Sequence, residues 1–200
     1  MNKLIFLSLI SLLFFSCQKE KIVNCAIYHE QFNPAVELKS IIDYETINDP
    51  TTGSNLQRPI PIEGSDSTYI DLNGDSENDF KISFYHFTMN TGYGPHPGFI
   101  VYRFIKVECL HGNSFVSKGT DSPAKLYAES DKIVRFFGEW WNSKVEYINI
   151  GTNTDVYLGL AIGMNAGWLK VRRDSNDTLF VLEQGFSQTC SGSIIAGQVQ

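Results

Sequence analysis

The chain lacks a surplus of positive charge. Its 200 residues carry 16 basic and 22 acidic side chains, a formal net charge of −6. That balance excludes a general nucleic-acid binder, which needs a basic footprint. Catalytic motifs are missing as well: there is no His-Glu-x-x-His, phosphate-binding loop, Gly-x-Ser-x-Gly elbow or dinucleotide fingerprint. No 12-residue window carries a convincing helical stripe, and residues 122–131 are the best short candidate. What is present is 42% hydrophobic and 13% aromatic, enough apolar material in one domain-sized chain to build a core. Disorder and collagen-like repeats are thereby excluded for the chain as a whole.

A membrane span is also missing. The apolar run Leu4–Phe15 covers about 18 Å as a helix at roughly 1.5 Å per residue, whereas a bilayer core needs about 20 residues. With Lys3 before it and Ser16-Cys17 after it, the run reads as a secretory signal. The small residue followed by cysteine resembles the lipobox of bacterial lipoproteins, in which the cysteine is lipidated and becomes the first residue of the mature protein. Phe15 is larger than that pattern's usual residue. The resemblance implies cleavage after residue 16, lipid attachment at Cys17 and stable membrane anchoring by several acyl chains. Removing residues 1–16 takes only Lys3 from the charge count, leaving 15 basic and 22 acidic residues, a net of −7. Residues 17–24 form a lipidated cysteine and solvated tether, and 25–200 one β-sandwich domain. Gln18 stands where an inner-membrane retention signal would have aspartate, so the expected location is the outer membrane, on either face. Of the remaining cysteines, Cys25, Cys109 and Cys190, one disulfide pair and an odd thiol, or three buried thiols, are both consistent with export.

Residues 46–66 are turn-rich and read as a long irregular connection. Beyond them, strand-like runs alternate with turns. Phe80, Ile82 and Phe84 share one face; Phe99–Cys109 is a long β-branched and aromatic run suited to a central strand. Val156, Leu158, Leu160 and Ile162 alternate with Tyr157, Gly159 and Ala161. Residues 167–173 and 178–186 form a pair joined by the turn 174–177. The expected fold class is all-β, a two-sheet β-sandwich or jelly roll with little helix.

Asp71-Leu72-Asn73-Gly74-Asp75-Ser76-Glu77-Asn78-Asp79 places oxygen side chains at positions 1, 3, 5 and 9. That spacing lets a tight loop turn them around one hard cation, and calcium takes 6–8 oxygens. Asp71, Asn73, Asp75 and Asp79 would supply side-chain oxygens and Glu77 its carbonyl, giving a structural calcium site. Ser76 stands where an EF-hand has glycine, Ile82 where it has a bidentate glutamate, and strands replace the flanking helices. The competing reading is a bare hairpin turn seeded by Asn73-Gly74.

The loop and three later segments together resemble a family of small secreted β-sandwich proteins common in Bacteroidota. Asp71–Phe80 is similar to its Asp-Ile-Asn-x-Asp-Gly-x-x-Asp-Phe segment, and Ala124–Ile133 followed by Trp140-Trp141 to its middle segment. Tyr157-Leu158-Gly159-Leu160 and Gly167-Trp168-Leu169-Lys170-Val171 resemble its Tyr-Leu-Gly-Leu … Gly-Trp-Ile-Arg-Leu signature. Ile194-Ile195-Ala196-Gly197 resembles its closing motif. Asn165-Ala166 replace the histidine and tyrosine usual before Gly167-Trp168. The resemblance implies a fold and an exported location, not a reaction.

Other candidates for ligand binding are Trp140, Trp141, Tyr93 and His96, with Tyr147 expected near the tryptophans. The tryptophans would stack on sugar rings; the plainer account is one core and one partly exposed tryptophan on a strand. His96 would line a loop rim or share a metal with His86; otherwise it faces solvent. Asp66-Ser67-Thr68 and Asp177-Thr178-Leu179 resemble Bacteroidota O-glycosylation sites. The sequence therefore supports an exported, membrane-anchored, calcium-stabilised binding module for a glycan or protein ligand. The alternatives are a glycan-active hydrolase with a carboxyl pair such as Glu139 and Glu146, or a purely structural envelope protein.

Overall fold

A computed structural model describes residues 25–40, 43–48, 53, 55–60, 66–90, 99–116, 126–134, 145–191 and 193–200. Among them are fourteen strands. The first seven are β1 (Ile27–Lys39), β2 (Asp43–Asn48), β3 (Asn55–Ile60), β4 (Ser67–Ile70), β5 (Phe80–Asn90), β6 (Phe99–Cys109) and β7 (Ser114–Phe115). The rest are β8 (Leu126–Tyr127), β9 (Lys132–Val134), β10 (Val145–Ile148), β11 (Asp155–Ile162), β12 (Asn165–Arg173), β13 (Thr178–Ser191) and β14 (Ser193–Ile195). The expected all-β sandwich is the observed fold.

One sheet runs β1-β13-β12-β11-β7, with β8 also paired to β11; the other runs β10-β6-β5-β4. Alternation along β5 explains how they meet. Phe80, Ile82 and Phe84 are fully buried, as are their β6 neighbours Ile105 and Val107. From the facing sheet come Leu38, Leu158, Leu160, Leu169, Val171, Leu179 and Val181. Each such side chain removed from water contributes about 1.5–3 kcal/mol, and this interleaved layer holds the sheets together.

The larger sheet is covered on its other face too. Tyr157, Ala161, Ala166 and Trp168 point away from the main core and are buried under Ile133 of β9 and Ile194 of β14, with Tyr127, Val116 and Ala196. Trp168 meets Tyr157 edge-on at 5.4 Å. A Cβ on Gly185 would lie 2.5 Å from the Trp168 indole, so the strand beside the tryptophan must be bare. Of the segments 126–133, 157–160, 167–171 and 194–197, Tyr127, Ile133, Tyr157, Trp168, Ile194 and Ala196 build this second, smaller core.

One sequence expectation is corrected. Residues 46–66 are not wholly irregular: β2 and β3 pair antiparallel from Asp43↔Ile60 to Asn48↔Asn55. Asp49-Pro50 and Gly53-Ser54 fall between the two strands, and six-residue flanking runs are too brief to show a clear period. Residues 122–131 supply no helix where described; Leu126 and Tyr127 extend the sheet edge against β11. β1 is irregular midway along its length, between Gln31 and Val36, where it includes a cis Asn33-Pro34 bond. Cys25 is disulfide-bonded, and Cys109 keeps a half-buried thiol at the end of β6. Cys190 lies in β13, next to the Gln188-Thr189 stretch that bonds Ala26.

Candidate functional site

The Asp71–Asp79 loop joins β4 to β5 and closes one end of the sandwich. It is not a two-residue turn: Ile70 pairs with Phe80, and all nine residues between them form the connection. Leu72 is fully buried and plugs the core, so close that a Cβ on Gly167 would come within 2.9 Å of its Cδ2. Gln184, 1% exposed, donates from Nε2 to the Asp71 carbonyl and to Glu30 Oε2, both at 2.8 Å. Tyr28 donates to the same Glu30 oxygen at 3.0 Å and lays its ring against Gly74. Burial, then the Glu30 carboxylate, pushes the Tyr28 phenol up.

Within the loop, carboxylates accept from backbone N–H groups. Asp71 Oδ1 accepts from Gly74 and Asp75, and Oδ2 accepts from Ser76 at 2.7 Å. Asn73 Oδ1 accepts from Asp75 N–H, its Nδ2 donates to Asp75 Oδ2, and Asp75 Oδ1 accepts from Glu77 N–H. Asp79 turns inward, where Oδ2 accepts from Leu72 N–H at 2.9 Å and Oδ1 from Asn113 Nδ2 at 3.0 Å. Burial pushes the Asp79 carboxyl up, those two bonds oppose the shift, and Asp75 and Asp71 add repulsion. Ser76 has φ +73°, in the left-handed region that the sixth residue of a calcium loop needs and usually fills with glycine.

The donor chemistry and loop conformation therefore fit a hard cation. Each carboxylate also retains lone pairs beyond those it uses here. In this arrangement, however, no group of three or more His, Cys, Asp or Glu side chains converges as a metal cage among the described residues. Glu30, Gln184, Tyr28 and Asn113, which seat the loop, carried no local sequence signal because each comes from a distant strand or turn.

The second candidate is the outer face of the β10-β6-β5-β4 sheet. Alternation that sends Phe84 and Ile105 inward sends Tyr85, Phe87, Tyr102 and Phe104 outward, joined by Tyr69 of β4 and Tyr147 of β10. Tyr147 meets Tyr85 at 6.0 Å and Phe104 at 6.5 Å, both edge-on, while Tyr102 stacks on Phe104 at 6.3 Å. Tyr69, Phe87 and Tyr147 are each at least half exposed. Charged groups lie among the rings: Lys81 Nζ sits 5.8 Å from the Tyr69 ring, and Lys106 pairs with Glu108 at 2.6 Å. That bond holds the Lys106 ammonium up and the Glu108 carboxyl down.

Cys17, Tyr93, His96, Glu139, Trp140 and Trp141 lie outside the described residues, and for Glu146 only its place in β10 is described. His86 is buried against Ser40. In the second glycosylation-like triplet, Thr178 and Leu179 begin β13, pair with Lys39 and Leu38 of β1 and are both buried. Elsewhere, Glu183 and Asp155 share Lys170, at 2.9 and 3.5 Å. Burial pushes the Glu183 carboxyl up, but the Lys170 and His29 contacts outweigh it and hold it low, opposite to what a general acid requires. No protein-family model, no curated protein and no solved structure matches this chain.

Proposed function

We propose that this chain is an exported lipoprotein, anchored in the outer membrane through Cys17, whose sandwich domain binds carbohydrate on the aromatic outer face of the β10-β6-β5-β4 sheet. The observation that carries the reading is the cluster of Tyr69, Tyr85, Phe87, Tyr102, Phe104 and Tyr147 on one sheet face, half-exposed at its edges. A folded protein leaves so much aromatic surface in water where something covers it. Sugar rings have apolar faces and hydroxyl edges, and the face supplies rings with Lys81, Lys106 and Glu108 between them. A protein interface or a membrane surface would instead deplete charge from the centre of the patch.

Calcium in the Asp71–Asp79 loop is the second part of the proposal. A cation there relieves the repulsion among Asp71, Asp75 and Asp79 and stiffens the entry to β5, a central strand of the binding sheet. The order of the motifs resembling the Bacteroidota sandwich family agrees with an exported fold of this kind.

Oxidative footprinting of the protein with and without an insoluble cell-wall polysaccharide tests the assignment. The expected result is protection at Tyr69, Phe87 and Tyr147, with Met164 in the exposed β11–β12 turn unchanged. Equal oxidation of those rings in both samples rejects the face.

A further inference from the structure

Cys25 stands just before β1 and is disulfide-bonded. The chain has three other cysteines to share that bond, Cys17, Cys109 and Cys190. Cys109 keeps its thiol at the end of β6, in the opposite sheet. The β1–β13 ladder brings Cys190 alongside instead. Ile27 pairs with Ser187, and the contact continues beyond that pair. Gln188 N–H donates to the Ala26 carbonyl, and Ala26 N–H donates to Thr189 Oγ1, both at 2.8 Å. One further step along each strand reaches Cys25 on one side and Thr189-Cys190 on the other. Opposed antiparallel residues have Cα atoms about 4.5–5.5 Å apart and the next residue lies about 3.4 Å along, which meets a disulfide's Cα span of about 4.4–6.8 Å. In the same stretch β13 changes register against β12, from Gly167↔Phe186 to Asn165↔Ser191. Such an irregularity takes neighbouring residues out of strict alternation.

A covalent link here falls where β1 is weakest. β1 is the edge strand of its sheet, and its ladder to β13 breaks between Gln31 and Val36. The break leaves residues 27–31 as a separate short stretch of pairing. Short edge ladders open from their ends, because each terminal residue gives up few bonds on leaving. That same stretch carries the seat of the Asp71–Asp79 loop. Tyr28 lays its ring against Gly74, and Glu30 Oε2 accepts from both Tyr28 and Gln184. A clamp beside residue 27 closes the free end of the stretch, and opening of the seat then has to start from the irregular middle of β1.

We propose that Cys25 is joined to Cys190, and that this clamp holds the first stretch of β1, and with it the Asp71–Asp79 loop, in place. Two thiols form the one S–S bond, while a disulfide oxidant accepts their two electrons and two protons and leaves as two thiols. The clamp stands whatever the aromatic face binds and whether or not the loop holds a cation. Tryptic digestion of the unreduced, monomeric protein followed by mass spectrometry tests the pairing. The expected result is residues 22–39 linked to residues 174–200, separating on reduction. A link from Cys25 to Cys17 or Cys109, or no link at all, overturns it. Hydrogen exchange tests the coupling to the loop. Reducing the bond with a phosphine, or replacing Cys190→Ser, should speed amide exchange in residues 27–31 and at Gly74 and Ser76 by about tenfold or more, with Ile82 and Val107 unchanged. Equal exchange at Gly74 and Ser76 with and without the bond overturns the coupling. An equal loss of protection at Ile82 and Val107 also overturns it, because the bond would then hold the whole fold and not this one stretch.

Discussion

Gly74 meets two demands at once. Its φ is +77°, and a Cβ there would stand 2.5 Å from the Tyr28 ring. Gly112 has a similar φ of +81° but open space around it. Gly112→Ala should therefore cost about 1 kcal/mol and Gly74→Ala at least twice that, read as urea midpoints of the two variants. His86 gives a pH signature. Burial, then Arg103, pushes its pKa below the ordinary 6.5, so the unfolded chain binds the proton more readily than the folded one. Stability from this residue is present above pH 6.5 and is lost as pH falls through that value towards the lower folded pKa. Ser40 Oγ lies 2.8 Å from its Nδ1, and the charged group acting on the ring is the Arg103 guanidinium. Comparing unfolding free energy at pH 7.5 and 5.5, the loss should shrink in His86→Asn; an identical loss contradicts the assignment. Residue periodicity made Phe80, Ile82 and Phe84 legible in the sequence because one face of β5 is apolar. It did not reveal why Tyr157, Gly159 and Ala161 are also buried, since the layer covering them comes from β9 and β14, far along the chain.

Among the elements, the Asp71–Asp79 loop behaves as a plug held by polar fasteners. Leu72→Ala should destabilise the protein by about 2–5 kcal/mol, because the cavity is sealed by Phe186 and Gly167 on one side and the core on the other. Asp75→Ala removes only exposed loop bonds and should cost less than 1 kcal/mol in EDTA. Calcium separates the two readings of the loop. A ligand at 100 times its dissociation constant stabilises by about 2.7 kcal/mol, so melting in calcium should exceed melting in EDTA by several degrees. Asp71→Asn should remove that difference, and coincident melting curves for the unaltered protein contradict the calcium reading. The spacing of oxygen residues was visible in the sequence. The seat formed by Tyr28, Glu30, Gln184 and Asn113 was not, because strand register brings it together and no local pattern encodes register between distant segments.

At the scale of the whole molecule, alternation predicted a sandwich but not which of its outer faces would stay open. The larger sheet carries a second core over Trp168, while the smaller presents aromatic rings to solvent. Along β5 and β6 the same alternation that makes the core also makes this ring cluster, so its residues were legible individually but their convergence was not. Replacing Cys17 with alanine should release the protein from membranes into the soluble fraction, and persistent membrane retention contradicts lipid anchoring. The most direct test of the account is calorimetric titration of that released protein against a panel of soluble oligosaccharides, compared with a Tyr85→Ala, Tyr147→Ala double variant. Two lost stacking contacts should weaken binding of at least one oligosaccharide about tenfold or more while the fold persists. Absence of binding across the panel, or equal affinity in the double variant, contradicts it.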